Sequence, residues 1–102
     1  MAKLIAMYRT PKDKAAFDRY YEQTHIPLAK KIPGLRRYEV SRGDIGTPAG
    51  ASEFHLVAVL QFDSMADIEA AFASPEGQAA AADIPNFADG GADLHFFDEK
   101  AV

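Results

Sequence analysis

Between Glu53 and Asp63 the chain alternates with a period of two, and neither phase of the alternation is polar. Phe54, Leu56, Ala58, Leu60 and Phe62 fall on one side. His55, Val57, Val59 and Gln61 fall on the other. Side chains of a strand point to opposite faces in turn, so this reads as a strand with apolar groups on both. Lys3 to Arg9 repeats the theme, with Leu4, Ala6 and Tyr8 opposed to Ile5 and Met7. Ala92 to Asp98 reads as a third such strand, with Leu94 and Phe96 against His95 and Phe97. A sheet built from these strands needs cover in front and behind.

The intervening segments supply only part of that cover. From Asp13 the period lengthens, and Phe17, Tyr21, Thr24 and Leu28 share one helical face with Tyr20 on its flank. Pro27 has no N–H for the carbonyl of Gln23 and crowds that turn, so a kink is expected at His25-Ile26-Pro27. Pro33-Gly34 ends the helix, Leu35 to Asp44 reads as a strand, and Gly43 to Ser52 reads as a loop. After the central strand, Ser64 is a helix N-cap with Asp67 three residues on, and Met65, Ile68 and Phe72 follow at helical spacing. Ser74-Pro75 starts a second short helix running to Ala82, and Asp83 to Gly91 reads as a loop before the last strand. The order is βαββαβ, so the expected fold is α+β and ferredoxin-like. It has a four-stranded antiparallel sheet with helices on one face, in a single domain over residues 1–102. The uncovered face then calls for a second copy of the chain in a two-fold contact, a homodimer.

Composition removes several function classes. The chain has 102 residues, enough for one core. A net charge of −4, with basic pairs only at Lys30-Lys31 and Arg36-Arg37, argues against nucleic acid. No run approaches the ~20 apolar residues of a membrane span, and the N-terminus is unlike a signal peptide; a cytoplasmic protein is expected. With no cysteine there is no thiolate chemistry. No glycine-rich nucleotide loop and no paired-histidine metal motif occurs, so neither a metal nor a cofactor is expected.

Phe17-x-x-Tyr20-Tyr21-x-x-x-His25-x-Pro27, followed by Pro33-Gly34-Leu35-x-x-Tyr38, resembles the EthD family of dimeric α+β barrel proteins. Phe62-Asp63-Ser64-Met65, Ser74-Pro75-Glu76-Gly77 and Asp83-x-x-x-Phe87 extend the resemblance over nearly the whole chain. The family is named for a small protein encoded beside a cytochrome P450 system for ethyl tert-butyl ether degradation. Similar proteins include muconolactone-type isomerases and cofactor-free monooxygenases or cyclases of aromatic polyketides. The resemblance implies the dimeric barrel and a role in small-molecule catabolism.

His25, Tyr38 and His55 are the candidate catalytic residues. His25 titrates near neutrality and stands beside the Pro27 break, about 80° from the centre of the apolar helix face. It is read either as a proton-transfer base or as a histidine that bonds the broken turn. Tyr38 is read as a hydroxyl donor to a carbonyl or enolate, or as an ordinary strand tyrosine. His55 is read as a second acid/base group or as a strand-end histidine, and His95 as structural. Tyr20, Val57, Val59 and Phe87 are the candidate binding residues for a small hydrophobic molecule. Asp83 is read as a helix-end residue as readily as a functional one. The expected chemistry is isomerisation, cyclisation or lactone rearrangement, with His25 as base and Tyr38 as donor. The alternatives are a non-enzymatic ligand-binding accessory of an oxygenase pathway, and a haem-binding or monooxygenase-type barrel, since related barrels bind haem through one histidine.

Overall fold

The computed structural model describes residues 1–102. In chain order the elements are β1 (Ala2–Arg9), α1 (Lys14–Tyr20), a π-helical turn (Tyr21–His25), α2 (Ile26–Ala29) and β2 (Arg37–Val40). There follow β3 (Gly46–Thr47), β4 (Gly50–Ala51), β5 (Phe54–Phe62), α3 (Met65–Ala73), α4 (Pro75–Asp83), a 3-10 turn (Ile84–Asn86) and β6 (Ala92–Asp98). Four strands form one antiparallel sheet in the order β2-β5-β1-β6. The helices cover one face of it. The fold is α+β and ferredoxin-like, as the sequence predicts.

Local chemistry sets the helix boundaries. The Asp13 carboxylate accepts from the Ala16 N–H at 3.0 Å and so caps α1. Ser64 caps α3 by accepting from the Asp67 N–H at 3.1 Å. Ser74 has extended angles, ends α3, and accepts from the Gly77 N–H at 3.0 Å to start α4, with Pro75 in the first turn where no N–H is needed. Gly77 is also a close approach, because a Cβ there would stand 1.9 Å from the Ala71 carbonyl oxygen.

The helix between Asp13 and Ala29 bends where Pro27 predicts, by widening rather than by stopping. The Ile26 N–H reaches back five residues to the Tyr21 carbonyl. This is the geometry of a π-turn, a form that recurs at functional sites.

Two expectations need correction. The strand read over Leu35–Asp44 is paired only from Arg37 to Val40, and the Gly43–Ser52 loop contains a short hairpin, β3 against β4. The second correction is a bulge. Tyr8 stands opposite Leu56, but Arg9 stands opposite Phe54, so His55 is an extra residue on β5. A one-residue insertion exchanges the faces of what precedes it. Phe54 therefore lies on the open face, with the Arg9 guanidinium 5.3 Å from its ring centre. His55 turns to the helix side, 5.0 Å edge-on from the Phe17 ring, with Nε2 2.7 Å from Asp18 Oδ1.

The core lies between sheet and helices. Leu4, Ala6 and Tyr8 from β1 and Ala58, Leu60 and Phe62 from β5 are buried there with Phe17, Tyr21 and Ile68. The opposite face carries Ile5, Met7, Val57 and Val59, all half-buried, and Phe97, which is 45% exposed. His95 pairs with Ile5 in register and is exposed on that face. No helix is long and apolar enough to cross a membrane.

Candidate functional site

The π-turn carries His25 into the interior, where it is only 4% exposed. A regular helix would leave it near the edge of the apolar face; the widened turn alters the angle at which it projects. Its Nδ1 lies 3.0 Å from Oδ2 of Asp83, the last residue of α4. Oδ1 of the same carboxylate accepts from the Tyr20 hydroxyl at 2.6 Å and from the Asn86 amide at 3.0 Å.

This network fixes the protonation states. Burial pushes the Asp83 carboxyl upward, but the donors Tyr20, Asn86 and His25 outweigh it and hold the group below the usual carboxylate range. Burial lowers the His25 pKa, and the opposing pull of Asp83 does not restore it. At neutral pH the pair is a carboxylate beside a neutral imidazole. A carboxylate only accepts, so Nδ1 carries the imidazole proton and Nε2 carries the lone pair. Every fully buried side-chain nitrogen and oxygen has a hydrogen-bond partner. Nε2 has none within the protein, so it reaches open space.

His25 lies on the wall of a cavity of ≈50 Å³ between sheet and helices. Tyr8, Tyr21 and Tyr38 also line it, and the remaining walls are aliphatic or phenyl, apart from Gly77. The Tyr21 and Tyr38 hydroxyls hydrogen-bond to each other at 2.5 Å. Burial is the main cause that raises the pKa of Tyr8, Tyr21 and Tyr38 alike, so all three remain neutral phenols. Phe87 packs against His25 at 4.7 Å and against Tyr8, Tyr20 and Tyr21 at 5.4 to 5.6 Å. Phe87 does not itself line the cavity.

The structure thus brings His25 and Tyr38 to one cavity. Tyr20 and Phe87 stand behind it, one hydrogen-bonded to Asp83 and the other packed on the imidazole. His55 does not join them. It lines a separate polar groove of ≈800 Å³ between α1 and the β3–β4 hairpin. Val57 and Val59 point to the opposite face of the sheet, away from the cavity. The sequence reading missed Asp83 as the partner of His25, and it missed the hydroxyls of Tyr8 and Tyr21. One signal was present: Asp83-Ile84-Pro85 repeats the pattern of His25-Ile26-Pro27.

No group of three or more His, Cys, Asp or Glu side chains is arranged to hold a metal ion. Haem does not fit the site, because a porphyrin is many times larger than a 50 Å³ cavity. One phenyl ring already exceeds it, since about 150 Å³ accommodates benzene in an apolar protein cavity.

Fold and site define a class: small ferredoxin-like domains that enclose an apolar, tyrosine-lined cavity with a histidine–carboxylate pair in its wall. The chain belongs to the EthD family, whose EthD domain model matches residues 9–91. It is 43% identical over 104 residues to an uncharacterized 11.0 kDa protein in the thcB-thcC intergenic region of Rhodococcus erythropolis, covering 100% of this chain and 98% of that one. It is 41% identical to an ethyl tert-butyl ether (EthD) family protein from Bacillus halodurans, whose crystal structure matches with a TM-score of 0.89 over 98% of this chain and 99% of that one. SnoaB, a cofactor-independent oxygenase from Streptomyces nogalater, shares the fold at 15% identity and a TM-score of 0.68, over 99% of this chain and 94% of that one.

Proposed function

We propose that the protein is a cofactor-independent proton-transfer enzyme, of isomerase or cyclase type, acting on a small hydrophobic or aromatic compound in cytoplasmic small-molecule catabolism. The observation that supports this most directly is the buried His25–Asp83 pair, whose imidazole shares the wall of an apolar cavity with Tyr21 and Tyr38. In this reading Nε2 of His25 removes a proton from the substrate. Asp83 holds the imidazole in the productive tautomer and stabilises the imidazolium that forms. The Tyr38 hydroxyl, itself oriented by Tyr21, donates to the oxygen on which charge develops. His25 then returns the proton to a different carbon. Burial favours neutral imidazole in the resting site, so the base is ready at neutral pH.

An aromatic substrate requires the cavity to enlarge. His55 lies outside the cavity, and this reading assigns both proton steps to His25.

The working unit in this reading is a homodimer. Ile5, Met7, Val57 and Val59 form an apolar stripe along the uncovered face. The Lys3–Glu99, Arg9–Asp93 and Arg37–Glu39 ion pairs stand around it. An apolar centre with a charged rim suits an isologous contact with a second copy.

The test is a panel of small neutral and aromatic metabolites, each followed by thermal shift and by mass spectrometry for new products. Turnover lost in His25→Ala, with the fold intact, supports the reading. Ligand binding without any product would make the protein an accessory binder. Undiminished turnover in the variant would remove His25 from the chemistry.

A further inference from the structure

The electrostatics of the cavity narrow its substrate class further, on the reading that His25 is the base. None of the residues lining the cavity is Lys or Arg. Its polar equipment is one imidazole and three phenol hydroxyls. The charged group directly behind it is the Asp83 carboxylate, 3.0 Å from the ring of His25, at the C-terminal end of α4 where the helix dipole is also negative. The field inside is therefore negative, and no cation is available to pair with an anion.

We propose that the cavity selects small uncharged carbonyl compounds that carry an acidic α-C–H, and that it excludes their carboxylates. A carboxylate entering here would lose its hydration without gaining a counter-ion, and would face the Asp83 charge across one imidazole ring. A ketone or lactone oxygen meets a smaller cost, because the hydrogen-bonded Tyr21–Tyr38 pair has one hydroxyl hydrogen left to donate to it. The phenols remain protonated because burial keeps their pKa raised, so they serve as donors throughout.

The reaction that fits this arrangement balances without an outside reagent. Nε2 takes the α-proton and the C–H electron pair becomes a carbon–carbon double bond. The carbonyl π pair moves onto oxygen, where the free hydroxyl hydrogen of the Tyr21–Tyr38 pair stabilises it. Return of the proton from the imidazolium regenerates the ketone or places the proton on another carbon. The small cavity favours compact substrates. An acyl group on a long polar carrier has no place in it.

Two probes of similar length separate the possibilities: 2-hexanone, which is neutral, and levulinate, which is anionic at pH 7.5; both exceed the resting cavity of ≈50 Å³ and require the same enlargement that an aromatic ring does, so size does not favour either. Binding is read by NMR shifts of the His25 and Tyr38 ring signals, and proton transfer by deuterium uptake from D₂O into the ketone α-positions. The proposal expects 2-hexanone to bind at least tenfold more tightly than levulinate, which corresponds to about 1.4 kcal/mol or more. Equal or tighter binding of levulinate would overturn it, as would no binding of either at millimolar concentration. Preference for 2-hexanone without deuterium uptake would leave charge selection standing and defeat the proton-transfer reading. Equal uptake from both probes would do the reverse. In His25→Gln, uptake disappears while the preference for 2-hexanone persists.

Discussion

Replacing Asp83 with Asn keeps the shape of the side chain and removes its charge, and the surrounding hydrogen bonds dictate how the amide must sit. Two donors, the Tyr20 hydroxyl and the Asn86 amide, converge on Oδ1, while one, His25 Nδ1, meets Oδ2. The new amide therefore keeps its oxygen toward Tyr20 and Asn86 and turns its NH₂ toward His25. Nδ1 must then accept, and the imidazole proton moves to Nε2. Nε2 changes from acceptor to donor. Each of three hydrogen bonds also changes from charge-assisted to neutral, a loss of roughly 1 kcal/mol apiece. Tyr20 and Asn86 are partly exposed and recover some of this through water, so the net destabilisation is about 2 kcal/mol. For a domain of this size that lowers Tm by roughly 10 °C. Nitrogen-15 NMR of the histidine ring reads the tautomer, and a thermal melt reads the stability. A His25 that keeps its proton on Nδ1 in Asp83→Asn would refute the assignment of Asp83 as the group that orients it. So would a melt unchanged within a degree or two.

Acid should weaken the fold in a defined window. The His25 pKa is lowered on folding from its ordinary 6.5, so the unfolded chain binds the extra proton first. Stability falls as pH drops below about 6.5, and this component levels off once the folded form is protonated too. The groups packed on His25 are Asp83, Tyr21 and Phe87, and the carboxyl of Asp83 loses its own contribution only below its ordinary 3.8. Chemical denaturation at a series of pH values should show this slope in the native protein and not in His25→Gln; a parallel slope in both would assign it elsewhere. Gly77→Ala should cost about 3 kcal/mol or more, because its Cβ would stand 1.9 Å from the Ala71 carbonyl oxygen; a melt close to that of the native protein would mean that α3 and α4 part easily. Val59→Lys, in the middle of the open face, should convert dimers to single chains in sedimentation. A native protein that sediments as single chains at micromolar concentration would refute the dimer outright.

Most of the architecture was legible because it rests on local rules. The span of β6 was read without error, from Ala92 to Asp98, because Gly90-Gly91 precedes it and Leu94, Phe96 and Phe97 give it an apolar run. Ser64 and Ser74 announced their helices by capping chemistry alone. The faces of β5 were legible from Leu56 to Phe62 and misread before that. A bulge depends on how two strands meet, and nothing in Phe54-His55 marks the extra residue. That single insertion separates His55 from Val57 and Val59. The partner of His25 was hidden for a different reason. Asp83 is 58 residues away, and only the docking of α4 beside the π-turn brings the two together. Tyr21 was read as core, and it is buried. Its hydroxyl function emerges only because Tyr38 arrives opposite it from β2.

The two halves of the dyad are produced by the same local device. His25 ends the π-turn and Asp83 ends α4, and each is followed by Ile-Pro. Proline cannot donate a backbone N–H, so both helical stretches lose a hydrogen bond just past the polar residue. One responds by widening and the other by tightening to a 3-10 turn. In each case the isoleucine packs toward the core, Ile84 against the cavity and Ile26 against the surrounding cluster. The backbone irregularity and the polar side chain are thereby held together. A regular helix over Tyr21–Ala29 would direct residue 25 elsewhere, whereas Asp83 is placed by α4 itself, of which it is the last residue. Placing an ionised carboxylate and a histidine inside an apolar core is costly unless each finds its partners. Here the partners number three for Asp83. Two helices interrupted in the same way thus leave a carboxylate with three partners beside an imidazole whose Nε2 is unpartnered, the arrangement that the proposed proton transfer requires.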